Sequence, residues 1–193
     1  TFKLGSNLTL ASGRNLPSSS APTAVAAQRF DLGIDLGTYT MDLTSNSGTF
    51  TPNTSYGSGT AVTYWTFTGS TGRIIANGFN LSGTGGVATS VGPGVILESR
   101  SGNGGANNLS LGSGSGTLLI DPSSIFRYSG TAAIATPATL TSSRAIGNVE
   151  IQSGALNVLS LAGMGTMNVS GGTLIATNST GLPSSPAGLT VAN

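Results

Sequence analysis

The thirty residues VEIQSGALNVLSLAGMGTMNVSGGTLIATN, Val149 to Asn178, decide how the chain is read. They fall into two lines. Val149, Ile151, Gly154, Leu156 and Val158 form the first, and Met167, Val169, Gly172, Leu174 and Ala176 form the second, each member eighteen residues after its counterpart. Apolar residues occupy alternate positions on both sides of a Gly in each line. Alternation is the period of a strand with one buried face, and the Gly marks a turn between two short strands. A fixed period of roughly 20 residues with strand, turn and strand in each unit is the signature of a β-solenoid.

Composition fits an ordered chain with few charges. At 193 residues it is long enough for one sizeable domain, and only 7% of residues are charged, against about 25% in an ordinary globular domain. Disorder pairs low hydrophobicity with high charge, whereas here hydrophobic residues make up 37%. Lys occurs once, at Lys3, and the net charge is +1. No basic stripe is therefore on offer to nucleic acid or to an anionic membrane. Without Cys there is no disulfide and no thiolate metal site. No run approaches the roughly 18 apolar residues of a membrane helix, so no membrane insertion is expected. The chain starts at Thr1 without Met and closes on Leu189-Thr190-Val191-Ala192-Asn193, a strand pattern cut short. It reads as a processed subunit or as part of something longer.

Outward from the repeat, one solenoid domain is expected over residues 1–193, irregular over 1–73 and regular over 74–193. Leu4, Leu8 and Leu10 alternate up to Gly13, and Pro17 to Arg29 breaks the pattern as an excursion. Phe30, Leu32, Ile34 and Leu36 then face one way, with Asp31, Gly33 and Asp35 opposite. After Gly37 the phase flips, so Tyr39, Met41 and Leu43 are expected on the inner face. Residues 44 to 63 are rich in Ser, Thr, Gly and Asn and read as a long turn-rich rung. Ile75, Gly78, Phe79 and Leu81 follow as a unit, then Val91, Val95 and Leu97, then Leu109, Leu111, Gly116, Leu118 and Ile120.

Each Gly in regular structure costs roughly 0.5–1 kcal/mol relative to Ala, while a fully buried Leu, Ile, Val or Phe contributes roughly 1.5–3 kcal/mol. A rung with several inward apolar residues tolerates its corner glycines, provided other rungs stack on it. The competing fold is an antiparallel β-sandwich, whose short strands and Gly or Asn turns would give a similar pattern. The eighteen-residue self-alignment favours the solenoid.

Ser153-Gly154-Ala155-Leu156 and Gly171-Gly172-Thr173-Leu174, followed by Asn178, resemble the repeat of autotransporter passengers and related bacterial surface proteins. Ser115-Gly116-Thr117-Leu118 and Asn77-Gly78-Phe79-Asn80-Leu81 are weaker echoes. The resemblance covers about Ile75 to Asn193. It implies a right-handed parallel β-helix exported to the bacterial cell surface, although no membrane β-barrel domain accompanies it here.

Catalytic chemistry is poorly supplied. With neither His nor Cys, a Ser-His-Asp or Cys-His site is excluded, and no catalytic residue, cofactor or metal site is expected. The six carboxylates are Asp31, Asp35, Asp42, Glu98, Asp121 and Glu150. Asp31 and Asp35 lie about 13 Å apart along one strand, too far to share a cation. Arg29, Arg73, Arg100, Arg127 and Arg144 are scattered singly; they read as solubilising charges or as partners for acids across a subunit interface. Tyr64, Trp65 and Phe67 are either core or a platform for sugar rings. The sequons at Asn7, Asn53, Asn80, Asn108, Asn168 and Asn178 are expected by chance in so Asn- and Ser-rich a chain.

Three functions suit these features. The first is a non-enzymatic structural protein of the bacterial surface, a fibre, filament or adhesin segment. It would stack head to tail on other copies, or on further rungs of its own polypeptide, through Phe2 and Leu4 at one end and Leu189 and Val191 at the other. The second is a β-helix that binds or cleaves a surface polysaccharide. The third is a pilin-like sandwich whose segment Phe2 to Leu10 is donated to a neighbour.

Overall fold

The structure, a computed structural model, describes residues 2–9, 29–45, 49–50, 62–81, 87–102, 109–111, 117–176 and 189–191. Its strands in chain order are β1 (Phe2–Lys3), β2 (Leu8–Thr9), β3 (Arg29–Asp35), β4 (Thr40–Asp42), β5 (Val62–Thr68), β6 (Arg73–Ala76), β7 (Val87–Val91), β8 (Ile96–Ser99), β9 (Leu109–Leu111), β10 (Thr117–Ile120), β11 (Ile125–Tyr128), β12 (Ala138–Ile151), β13 (Ala155–Val169), β14 (Thr173–Ala176) and β15 (Leu189–Val191). No helix occurs among the described residues.

Every described pairing is parallel. One sheet has five strands in the order β1-β3-β5-β7-β10. The other has ten, along the path β14-β13-β12-β11-β8-β6-β4-β2, with β15 beside β13 and β9 beside β12. Parallel neighbours cannot be joined by hairpins, so the antiparallel sandwich does not fit.

The register resolves the sheets into three ladders. Phe2, Ile34, Phe67, Val91 and Ile120 are successive partners in the first. Leu8, Met41, Ile74, Leu97, Phe126, Val149, Met167 and Leu189 are successive partners in the second. In the third, Phe50 bridges Phe79, Asn80 bridges Ser110, and Leu109, Leu140, Val158 and Ala176 follow in line. From β3 to the start of β12 the chain visits first, second and third ladder in that order and then begins again; from there to β15 its described strands alternate between the second and third ladders. The eighteen-residue offset of the sequence is the register itself: Val149 pairs Met167, Ile151 pairs Val169, Leu156 pairs Leu174 and Val158 pairs Ala176.

The inward columns of the three ladders form one core. Leu36, Phe67, Ile74, Phe79, Leu109, Leu140, Val149, Ile151, Leu156 and Val158 are fully buried. Phe67, from the first ladder, meets Phe50 of the third edge-on at 6.0 Å. Phe50 in turn meets Phe79 at 6.1 Å. A T-shaped approach presents one ring's edge to the face of the other.

Corners need backbone that only Gly supplies cheaply. Gly154, between β12 and β13, has φ +64°, and a Cβ there would lie 2.6 Å from the Gly130 carbonyl oxygen on the preceding rung. Gly37, between β3 and β4, has φ +57°.

Some expectations are corrected. Tyr39 is exposed rather than inward, because its N–H closes a turn onto the Leu36 carbonyl (2.9 Å) and β4 starts only at Thr40. Ile74, not Ile75, takes the inward column. Arg29 belongs to β3, so the excursion does not include it, and residues 17–28 lie outside the described residues. Most of 44–63 lies outside them as well, as do the side chains of Phe30 and Leu32.

Candidate functional site

The outward column of the second ladder gathers the charge that the sequence scatters. Asp42, Ile75, Glu98, Arg127, Glu150 and Asn168 are successive partners along it. Each follows an inward residue of the same ladder by one position, so strand alternation places it on the other face of the sheet. Glu98 is the hub. Arg73 Nη1 donates to its Oε2 at 3.1 Å, and Arg100 Nε donates to its Oε1 at 3.1 Å. Ser129 Oγ donates to Oε1 at 2.7 Å. Arg127 stands between the two glutamates, with Nη1 3.7 Å from Glu98 Oε2 and Nε donating to Glu150 Oε2 at 2.8 Å.

Glu98 is buried, with only 3% of its surface exposed. Burial pushes its carboxyl up, but the hydrogen bonds from Ser129 and Arg100 and the charges of Arg73 and Arg100 outweigh it. The carboxyl therefore sits below its ordinary value of 4.5. A carboxyl so held stays ionised near neutral pH and has no proton to give, which is the opposite of what a glycosidase acid needs. The arrangement is chemically a clasp: it links four successive strands, β6, β8, β11 and β12, with opposite charges facing each other across adjacent rungs.

Three other acids serve corners. The Asp35 Oδ1 accepts from Gly37 N–H at 3.0 Å. Asp42 Oδ1 accepts from the N–H and Oγ1 of Thr44 at 2.9 and 2.6 Å. Asp121 Oδ1 accepts from the N–H and Oγ of Ser123 at 2.8 and 2.6 Å. In each case the acid bonds backbone two residues on, the Asx-turn that lets a strand end and the chain change direction. Asp31's side chain lies outside the described residues. Among the described residues no group of three or more His, Cys, Asp or Glu could hold a metal ion.

The aromatic platform is not formed by Trp65 and Phe67. Both point inward, are buried, and stack on each other at 6.1 Å. They are two residues apart in β5, so alternation sends both into the core. Tyr64's side chain lies outside the described residues.

At one end of the first ladder Phe2 is 56% exposed although its partner Ile34 is buried, and Leu4 is buried. At the other end of the second ladder Leu189 and Val191 pair Met167 and Val169 through their backbones; their side chains lie outside the described residues. The segment Phe2 to Leu10 is not a free donor strand, since β1 pairs β3 and β2 pairs β4 in its own chain. Of the sequons, Asn7 Oδ1 accepts from Thr40 N–H at 2.8 Å, and Asn168 is exposed. Asn53, Asn108 and Asn178 lie outside the described residues.

The clasp was not read from the sequence, which left Arg73, Arg100 and Arg127 as solubilising charges or interface partners. A signal for it existed: Leu97-Glu98, Phe126-Arg127 and Val149-Glu150 each place a charge directly after an inward residue. Unequal spacing between rungs hides the alignment. No family model, curated protein or solved structure matches the chain.

Proposed function

We propose that the chain is a right-handed parallel β-helix acting as a non-enzymatic structural rod of the bacterial surface, part of an extracellular fibre, filament or adhesin. The observation that carries this reading is the unbroken second ladder, eight strands in one register with apolar residues in line from Leu8 to Leu189. Parallel crossovers are right-handed in about 98% of cases, which supports that hand. Among the described residues Glu98 and Glu150 are tied into the clasp and Asp35 and Asp42 into Asx corners, which suits a load-carrying element.

Further support comes from Phe2, an inward-column residue left 56% exposed at the edge of the first ladder. Among the described residues no strand lies beyond β1 and β2; a second copy stacked head to tail, or further rungs of the same polypeptide, would cover Phe2 and pair those edges, the former being a heterologous contact that propagates. Electron microscopy of concentrated protein tests this. Rods that lengthen with concentration, and fail to lengthen in Phe2→Asp, are expected. Particles of one fixed length at every concentration, unchanged by Phe2→Asp, contradict the end-to-end part of the proposal.

A further inference from the structure

The corner between β10 and β11 carries an Asp–Pro linkage, Asp121-Pro122, followed by Ser123 and Ser124. Its carbonyl oxygen carries two donors. The oxygen of Asp121 accepts two hydrogen bonds from one residue, the Ser124 N–H at 2.9 Å and the Ser124 Oγ at 2.7 Å. Donors on this oxygen also favour negative charge that develops on it. The carboxylate of the same residue is fixed as well, by Ser123 N–H and Oγ on Oδ1. Those bonds favour the ionised form and hold the Asp121 carboxyl below its ordinary range.

The turn is rigid and open to water. Asp121 N–H donates to Val91 O at 2.9 Å, and Asn148 N–H donates to Ser124 O at 2.9 Å. A Cβ at Gly147 would lie 2.6 Å from the Pro122 carbonyl oxygen, so the next rung presses directly on the turn. Pro122 and Ser123 are exposed. The neighbouring rungs present Val91 to Val95 on one side and Gly147 with Asn148 on the other, none of them ionisable.

We infer that this corner is a built-in self-cleavage site, at which the Asp121 side chain cuts the Asp121–Pro122 peptide bond in mild acid. A carboxylate oxygen of Asp121 adds to its own main-chain carbonyl carbon, and the carbonyl electron pair moves onto the oxygen held by Ser124. Collapse expels the Pro122 nitrogen, which takes a proton from hydronium; as the nitrogen of a tertiary amide it is a better base than an ordinary peptide nitrogen. The acyl fragment is left as a five-membered cyclic anhydride. Water opens the ring to the free α- and side-chain carboxyls of Asp121. The sum is hydrolysis of one peptide bond by one water, with no redox change. Nucleophile and carbonyl belong to one residue in any state of the chain; what the fold adds is restricted rotation between them and the two Ser124 donors on the oxygen.

The test is incubation of the full chain at a mildly acidic pH where circular dichroism still shows the native fold, followed by intact-mass analysis. Fragments 1–121 and 122–193, the second with Pro122 at its N-terminus, are expected. They should form at least about tenfold faster from folded protein than from chain unfolded in denaturant at the same pH. Asp121→Asn keeps a side-chain oxygen for the turn but lacks the carboxylate, and should stay intact. Ser124→Ala should cut more slowly, for loss of one of the two donors. Equal rates in folded and unfolded chain, or cutting undiminished in Asp121→Asn, would overturn the inference.

Discussion

Ile151 and Val169 are direct partners in parallel register, one rung apart and eighteen residues along the chain. Both are buried, Ile151 at 0% and Val169 at 6% exposure, so the repeat that spaces them also sets them in one column of the core. From that relationship follow the stacking of the last strands, the placing of Gly154 at a corner and the outward direction of Glu150 next to Ile151.

The clasp makes stability depend on pH. Glu98 is held below its ordinary 4.5 in the folded chain, and a carboxyl depressed by folding stabilises above its unfolded value and loses that contribution as pH falls through the folded one. Unfolding free energy should therefore be flat above about pH 5 and fall below it. Glu98→Gln should cost about 1–3 kcal/mol at neutral pH, since it leaves Arg73, Arg100 and Arg127 around an uncharged group, two of them part-exposed. Urea titrations of both proteins across the acid range check this: the variant should lose part of the acid-side slope.

Thr89 is the reverse case. It lies between Trp65 and Leu118 in the first ladder, is 1% exposed, and its hydroxyl has no hydrogen-bond partner among the described residues. A buried unsatisfied hydroxyl costs about 1–3 kcal/mol. Thr89→Val, which keeps the branched shape, should raise the denaturation midpoint by an amount equivalent to about 1 kcal/mol. A lowered midpoint would mean that the hydroxyl is satisfied after all.

Gly154→Ala should destabilise by about 2 kcal/mol or more. The new Cβ meets the Gly130 carbonyl oxygen at 2.6 Å, and φ of +64° is itself unfavourable for Ala. Thermal melts compare it with Gly5→Ala, where a Cβ meets nothing within 4 Å and little change is expected.

How far the sequence reads depends on rung length. Between Val149 and Ala176 the rungs are equal and short, so self-alignment alone gives the register of Val149 with Met167 and of Leu156 with Leu174. Earlier in the chain, Met41 to Ile74 spans more residues than Ile74 to Leu97, and no fixed offset aligns them. Glu98 and its three arginines were illegible for that reason: their contacts depend on register, and register there is set by loops of unequal length. Tyr39 was misplaced because alternation was carried through the Gly37 corner, although the turn onto Leu36 consumes residues without alternating. Trp65 and Phe67 were ambiguous because an apolar aromatic suits a core and a sugar platform alike. Only the inward partners Ile34 and Val91 beside Phe67 decide for the core.

The most direct measurement of the stacked register is a pair of engineered cysteines in a chain that has none. Asn148 and Thr166 are partners on adjacent rungs, and Thr166 Oγ1 donates to Asn148 Oδ1 at 2.6 Å across eighteen residues. Adjacent strands lie about 4.8 Å apart, inside the roughly 4.4–6.8 Å Cα separation a disulfide spans. Asn148→Cys with Thr166→Cys should therefore oxidise quickly to an intramolecular disulfide. Asn148→Cys with Asn168→Cys, a diagonal pair about 7–8 Å apart, should not. Equal oxidation of the two pairs, or none in the first, would contradict parallel rungs stacked in this register.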